Sequence, residues 1–260
     1  MALLVGDERA KQLCDVYPEL AETCTLAWYP QGRLEKILAG AIMRINSSYK
    51  VLVIVALLHD FVIEKHEHKS LFMVNPDITS IGETLSKFSN KVKSINPRMH
   101  IIMTVPAYVD FIQYSKRLKH LTRQDFARLE SFTAQMMTSF TQVHDGVRYM
   151  ARNTFSFNMN ITLRDPTKQV VSRTGRLYNA ASQMQFAAGT LTDGFHLSDD
   201  ANRRVAAEIH KRVVNYAAKQ PDIDSVSFFL LCSNETVIKS NSLFQKIYEM
   251  FTDLIIFLII

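Results

Sequence analysis

An aspartate and a histidine lie three residues apart at Asp193 and His196, in a segment that directly precedes a capped helix. An aspartate held beside an imidazole can accept its Nδ1–H and leave Nε2 as a base. Gly194, between the two, permits a sharp backbone turn. The pair therefore suits acid–base catalysis. An isolated pair of this kind is more often an Asx turn beside a surface histidine, so the elements that position it decide between the two interpretations.

Apolar runs alternate with amphipathic stretches over the first 105 residues. Residues 51–58 are continuously apolar and begin with β-branched side chains, which predicts a central strand covered on both faces. Strands are predicted over residues 2–5, 25–28, 51–58 and 100–105, and helices over 9–17, 34–45 and 81–95. This order predicts an α/β fold, a three-layer α/β/α sandwich around a mostly parallel sheet, with the strand-end loops gathered at one edge.

The second half of the chain is less regular. Residues 122–150 predict one long helix or two, and residues 155–163 alternate apolar and polar side chains as a strand or hairpin arm does. Residues 164–190 are polar and rich in small side chains, which is typical of a long loop. Ser198 and the two aspartates after it predict the cap of a helix that runs to about Ala218.

The order of these motifs resembles that of the SGNH, or GDSL-type, hydrolases. Residues 4–9 are similar to the first block, a strand that runs into Gly-Asp-Ser, and residues 30–34 to the second, whose glycine donates a backbone N–H to the oxyanion. Residues 51–60 lie where the third block carries Gly-x-Asn-Asp, residues 103–106 resemble the next strand with its proline, and residues 193–198 resemble the last block, Asp-Gly-x-His-x-Ser. The resemblance covers about residues 2–218 and implies a flavodoxin-like sheet. The second and third blocks are most similar to esterase-like domains of some retrotransposon first-frame proteins.

The chain departs from that pattern at the residues that matter for acyl transfer. Where the resemblance places the nucleophilic serine, the chain has Glu8, which cannot form the usual acyl-enzyme. The oxyanion asparagine corresponds to His59 and the glycine of that block to Leu57, while Gly32 is retained as an oxyanion donor. Loss of the nucleophile alone costs on the order of a million-fold in rate in serine hydrolases. Acyl transfer by the family's route is therefore not expected.

Glu8, His59, Asp60, Asp193 and His196 are expected to converge at the edge of the sheet. Two imidazoles and several carboxylates can bind a metal ion or activate water. The interpretation we favour is that Glu8 pairs with His196 or Arg9 and fills an inactive pocket. The leading functional hypothesis is thus an inactive SGNH-like domain with a binding or assembly role, and the alternative is a residual ester hydrolase that uses Asp193 and His196.

Basic clusters suggest what such a domain would bind. The formal net charge is +5, a moderate excess that is compatible with acidic partners. A basic stretch flanked by aromatic residues, and a second basic face on the last helix, are candidates for contacts to RNA or single-stranded DNA. Their residues are Lys116, Arg117, Lys119 and Arg123, and Arg203 and Arg204. A protein partner or a second copy of the chain is the other expectation.

Composition sets the remaining expectations. With 47% hydrophobic and 21% charged residues, the chain of 260 residues is globular. We expect the SGNH-like domain over residues 1–219 and, over 220–260, an apolar extension that need not be native to it. The final apolar run of seven residues is shorter than the roughly 20 needed to span a bilayer. Three cysteines without a CxxC pair, and a start unlike a signal peptide, predict an intracellular protein, cytoplasmic or nuclear, without a cofactor.

Overall fold

The computed structural model describes residues 1–65, 70–74, 76–115, 122–148, 154–164, 186 and 189–219. The predictions for Lys116, Arg117, Lys119 and the extension over residues 220–260 lie outside these residues. Residues 1–217 form one compact unit.

Five strands form a single parallel sheet in the order β2-β1-β3-β6-β7. The strands are β1 (Ala2–Gly6), β2 (Cys24–Trp28), β3 (Val51–Val55), β6 (His100–Val105) and β7 (Thr154–Asn158), and a separate antiparallel hairpin consists of β4 (Val62–Lys65) and β5 (Ser70–Met73). Every residue of β1 and β3 is buried. This confirms the predicted α/β fold with a flavodoxin-like parallel sheet, because fully apolar strands need cover on both faces.

Helices cover both faces of the sheet. They are α1 (Glu8–Val16), α2 (Pro18–Thr23), α3 (Leu34–Ile42), α4 (Leu58–Phe61), α5 (Ile78–Ile95), α6 (Phe111–Ser115), α7 (Arg123–Arg148), α8 (Met159–Leu163) and α9 (Asp199–Ala218). Helix α5 packs between α3 and α7. On α9, His210 contacts Tyr17 and Thr23, and Tyr216 stacks on Phe155 of β7. The three predicted layers are therefore present.

Two local predictions were wrong. Residues 155–163 are not one strand: the Asn158 side chain accepts a hydrogen bond from the Asn160 N–H at 3.0 Å and starts α8. An asparagine cap of this kind overrides an alternating pattern. The predicted strand over residues 51–58 ends earlier, at Val55, because Leu57 has a positive φ and α4 begins at Leu58.

No helix among the described residues is long and apolar enough to cross a membrane.

Candidate functional site

Three neighbouring strands end level with one another at the site. Gly6 of β1 is paired with Trp28 of β2 and with Val55 of β3. A Cβ atom at Gly6 would lie 2.5 Å from the Val55 carbonyl oxygen, so the close approach of β1 and β3 requires glycine. The segments that follow these strands consequently meet at one edge of the sheet.

The Glu8 carboxylate lies at the centre of this edge. Glu8 is the first residue of α1, and Asp7 caps that helix by accepting the Arg9 N–H at 2.9 Å. One Glu8 oxygen, Oε1, is 2.6 Å from His59 Nε2, and the other, Oε2, accepts the backbone N–H of Gln31 at 2.9 Å. Groups from the ends of three strands thus converge on one anion.

These donors control the ionisation of Glu8. Burial raises the pKa of the carboxyl, but the hydrogen bonds from His59 and Gln31 outweigh burial and lower the pKa to about 2. Glu8 is therefore ionised across the neutral range.

The donor from the second motif is not the one that the sequence suggested. The Gly32 N–H donates to the Tyr29 carbonyl oxygen at 2.9 Å and closes a β-turn. Gln31, with φ of 51°, lies in the left-handed region and directs its own N–H at Glu8. The described structure therefore places Gln31, and not Gly32, at the anion.

The segment after β3 presents His59. Leu57 has φ of 83°, in the left-handed region, at the position where the resemblance expects glycine. The following residues start α4, and Asp60 accepts the Leu34 N–H at 2.9 Å, which holds this segment against the start of α3. Burial raises the pKa of Asp60, and the Leu34 N–H offsets this only in part. His59 is thereby held against Glu8.

The Asp193–His196 turn forms as its sequence predicts. Asp193 Oδ2 is 2.9 Å from His196 Nδ1, and Oδ1 accepts the N–H groups of Phe195 and His196 at 2.9 and 2.8 Å. Burial raises the pKa of Asp193, but these hydrogen bonds prevail and the pKa is lowered. Gly194 has φ of 92°, and a Cβ atom there would lie 2.5 Å from the Asp110 carbonyl oxygen. The His196 side chain is 47% exposed.

A buried arginine links this turn to the Glu8 segment. Arg9 Nη2 donates to the Phe195 carbonyl oxygen at 3.2 Å, and the guanidinium lies 5.7 Å from the centroid of the Phe195 ring. Burial lowers the pKa of Arg9. Beside it, burial raises the pKa of Asp7 to about 6, although the Arg9 charge acts in the opposite direction. The sequence analysis named Arg9 only as a candidate partner of Glu8 and did not expect it to be buried, since a fully buried arginine is rare.

The structure brings together part of the predicted set. Glu8 pairs with His59, and the expected pairing of Glu8 with His196 or Arg9 is not among its contacts. Within the described ranges no three His, Cys, Asp or Glu side chains are placed to hold a metal ion. Arg123, Arg203 and Arg204 are exposed on helices α7 and α9, and Arg204 donates to the Thr162 carbonyl oxygen at 2.8 Å.

Comparison with known proteins identifies the fold. No protein-family model matches the sequence, and no curated protein is similar to it in sequence. The structure is similar to a carbohydrate esterase family 3 protein from Talaromyces cellulolyticus, with a TM-score of 0.50 and 11% identity over 85% of this chain and all of that one. A lipopolysaccharide acetyltransferase periplasmic domain from Salmonella ser. Paratyphi A aligns with a TM-score of 0.41 and 11% identity over 82% of this chain and 83% of that one. The architecture is that of the SGNH-type hydrolase folds.

Proposed function

Starting from a chain that folds as an SGNH-type hydrolase, we propose that it is a catalytically inactive domain of this fold whose role is binding or assembly. The observation that carries the proposal is the Glu8 carboxylate, which accepts hydrogen bonds from His59 and from the Gln31 N–H. An acyl-transfer site needs a nucleophile and a set of donors for the developing oxyanion. In this chain the Glu8 side chain stands in place of the nucleophile and accepts the hydrogen bonds of the donors on His59 and Gln31.

Charge adds to this steric obstruction. With its pKa lowered to about 2, Glu8 carries a negative charge at neutral pH. A substrate oxyanion about 4 Å from that charge would be disfavoured by about 4 kcal/mol at an effective dielectric constant of 20. This opposes the stabilisation that an oxyanion hole ordinarily provides.

The first experiment measures ester hydrolysis. We expect the full chain to hydrolyse p-nitrophenyl acetate at the background rate, and the His196→Ala variant to give the same rate. Turnover above background that is lost in His196→Ala contradicts the inactive assignment.

The second candidate function is a residual ester hydrolase, which the Asp193–His196 pair favours. The 2.9 Å contact between Asp193 Oδ2 and His196 Nδ1 orients the imidazole as a catalytic aspartate does, and the ring is half exposed. The same assay separates the two functions. If His196 activates water, hydrolysis also falls in Asp193→Asn, which retains the size of the side chain and removes its charge.

Binding of single-stranded nucleic acid is the form of the binding role that the exposed arginines support. Arg123, Arg203 and Arg204 lie on helix surfaces and could contact phosphates. We expect affinity for single-stranded RNA that falls as salt is raised from about 50 to 200 mM, and that weakens in an Arg203→Ala, Arg204→Ala double variant. If there is no measurable affinity at low salt, the nucleic-acid form is wrong.

A further inference from the structure

Strand β7 forms one outer edge of the sheet. Among the described residues it pairs only with β6. The backbone N–H and C=O groups on the other side of an edge strand form a template for a further strand. Three strand spacings of about 4.8 Å separate β7 from β1, so this edge lies about 14 Å from the strand that leads to Glu8.

A cavity of about 470 Å³ runs along this edge. All five residues of β7 line it, together with His144, Ile161, Thr162 and Arg212. Successive side chains of a strand point to opposite faces of the sheet. A single cavity that touches all five must therefore run along the outer margin of the strand, between α7 and α9.

The two walls of the cavity differ in chemistry. On the α7 side, His144 Nδ1 is hydrogen-bonded to Ser156 Oγ. On the α9 side, the Arg212 guanidinium lies 5.0 Å from the centroid of the Phe157 ring, and its Nε donates to Glu208 at 3.3 Å. Ile161 is 57% exposed and supplies an apolar contact. Arg212 is the charged side chain among the described lining residues, and none of those residues is a carboxylate.

We propose that this cavity, the β7 groove, binds an extended acidic peptide segment of a partner protein, which adds to the sheet as a sixth strand. Backbone hydrogen bonds to β7 would supply affinity, and an acidic side chain would pair with the remaining donors of Arg212. The inference rests on the proposed binding role and gives it a protein partner, whereas the salt-dependent RNA experiment above tests a nucleic-acid partner. It does not depend on the Glu8 edge, so a failure of either proposal can be recognised separately.

The test uses a fluorescein-labelled seven-residue peptide, Thr-Val-Glu-Val-Glu-Val-Thr, capped at both ends, with the full chain and fluorescence anisotropy. We expect saturable binding with a Kd below about 1 mM. We also expect slower amide hydrogen exchange over residues 154–158 when the peptide is bound. The same peptide with lysine in place of both glutamates, and one with alternate backbone amides methylated, should each bind about tenfold more weakly or not at all.

Matched variants of α9 locate the acidic contact. Arg212→Glu should weaken binding about tenfold or more, whereas Lys211→Glu makes the same charge change at the next, exposed position and should leave the Kd within about twofold. The peptide controls need no change in the protein, so they remain decisive if Arg212→Glu fails to fold. Absence of binding at 1 mM, equal binding of the methylated peptide, or protection of residues 154–158 by self-association of the chain overturns the proposal. Ester hydrolysis, by contrast, would overturn only the inactive assignment.

Discussion

The buried Asp7 carboxyl should make the stability of the domain depend on pH in an unusual direction. Asp7 is 1% exposed, and burial raises its pKa from an ordinary value of 3.8 to about 6. The folded chain therefore holds the Asp7 proton more tightly than the unfolded chain does. Between pH 3.8 and pH 6 the folded state carries more protons, so the free energy of unfolding falls as pH rises.

The size of the effect follows from the two pKa values. The gap between 3.8 and about 6 corresponds to about 3 kcal/mol, at 1.36 kcal/mol for each tenfold change in proton affinity. This contribution is fully present below pH 3.8 and is lost above pH 6. Glu8 acts in the opposite sense at lower pH: its pKa is lowered from 4.5 to about 2, so its contribution is present above pH 4.5 and is lost as pH falls towards 2. Since the Glu8 side chain is 30% exposed, we expect that contribution to be only about 1–2 kcal/mol.

Asp7→Asn isolates the Asp7 contribution, because asparagine also caps helices and stays neutral. Urea unfolding from pH 3.5 to pH 8 should show nearly equal stabilities of wild type and variant at pH 3.5. At pH 7 the variant should be more stable by up to about 3 kcal/mol. Glu8→Gln serves as the control. It should remove the loss of stability that occurs as pH falls below 4.5, and it should retain the loss of stability that occurs as pH rises from 4.5 to 6. The reasoning is refuted if Asp7→Asn keeps the wild-type slope between pH 4 and pH 6, or is the less stable protein at pH 7.

Three further predictions follow from the site. Glu8→Ala should expose the donors on Gln31 and His59, so that acetate can bind in place of the carboxylate. If acetate binds with a Kd of about 10 mM, 100 mM acetate should stabilise this variant by about 1.4 kcal/mol in thermal unfolding. Wild type and Glu8→Gln should not respond, and an equal response of all three proteins would show that Glu8 does not occupy an anion site. Gly194→Ala should destabilise the chain by at least about 2 kcal/mol, because it combines a positive φ with a clash at the Asp110 carbonyl. Gly82→Ala in α5 should instead stabilise the chain by about 0.5–1 kcal/mol, since a Cβ atom there meets nothing within 4 Å. The urea midpoints of the two variants measure both effects. Asp193→Ala should lower the free energy of unfolding by about 2 kcal/mol, because it leaves the Phe195 and His196 N–H groups without their acceptor. His196→Ala should lower it by less than about 1 kcal/mol. Equal losses of stability in denaturant titrations of the two variants would show that the turn does not depend on the carboxylate.

The sheet could be predicted from the sequence because its signals are local. Val51–Val55 is continuously apolar and β-branched at four of its five positions, and Gly6 followed by Asp7 marks the end of β1. The change from β7 to α8 could not be predicted in this way, since it depends on whether the Asn158 side chain caps the next helix. The β4–β5 hairpin was missed for a related reason: its strands are four residues each, too short for a periodic pattern to indicate them.

The site was harder to predict because its contacts are distant in sequence. The motif order placed Glu8 and His59 at the same edge of the sheet. It could not show that the two side chains contact each other, because they are 51 residues apart in sequence and their contact depends on the tertiary fold. Gln31 directs its N–H at Glu8 because it adopts a positive φ. From the sequence, that conformation would have been expected at the glycine that follows it, Gly32. The burial of Arg9 and its hydrogen bond to the Phe195 carbonyl were missed because charged side chains are ordinarily assigned to the surface.

The Asp-Gly-x-His pattern of residues 193–196 has a structural explanation that does not involve catalysis. One oxygen of Asp193 accepts two backbone N–H groups, and Gly194 fits where a Cβ would clash with Asp110. Both residues thus have structural work that is independent of the imidazole. At the other end of the site, Leu57 keeps the left-handed backbone that suits glycine, although leucine there stores strain of about 1–3 kcal/mol. These contacts explain the conformation of the turn and of the segment after β3, so the Asp-Gly-x-His pattern has a structural reason that does not depend on catalysis.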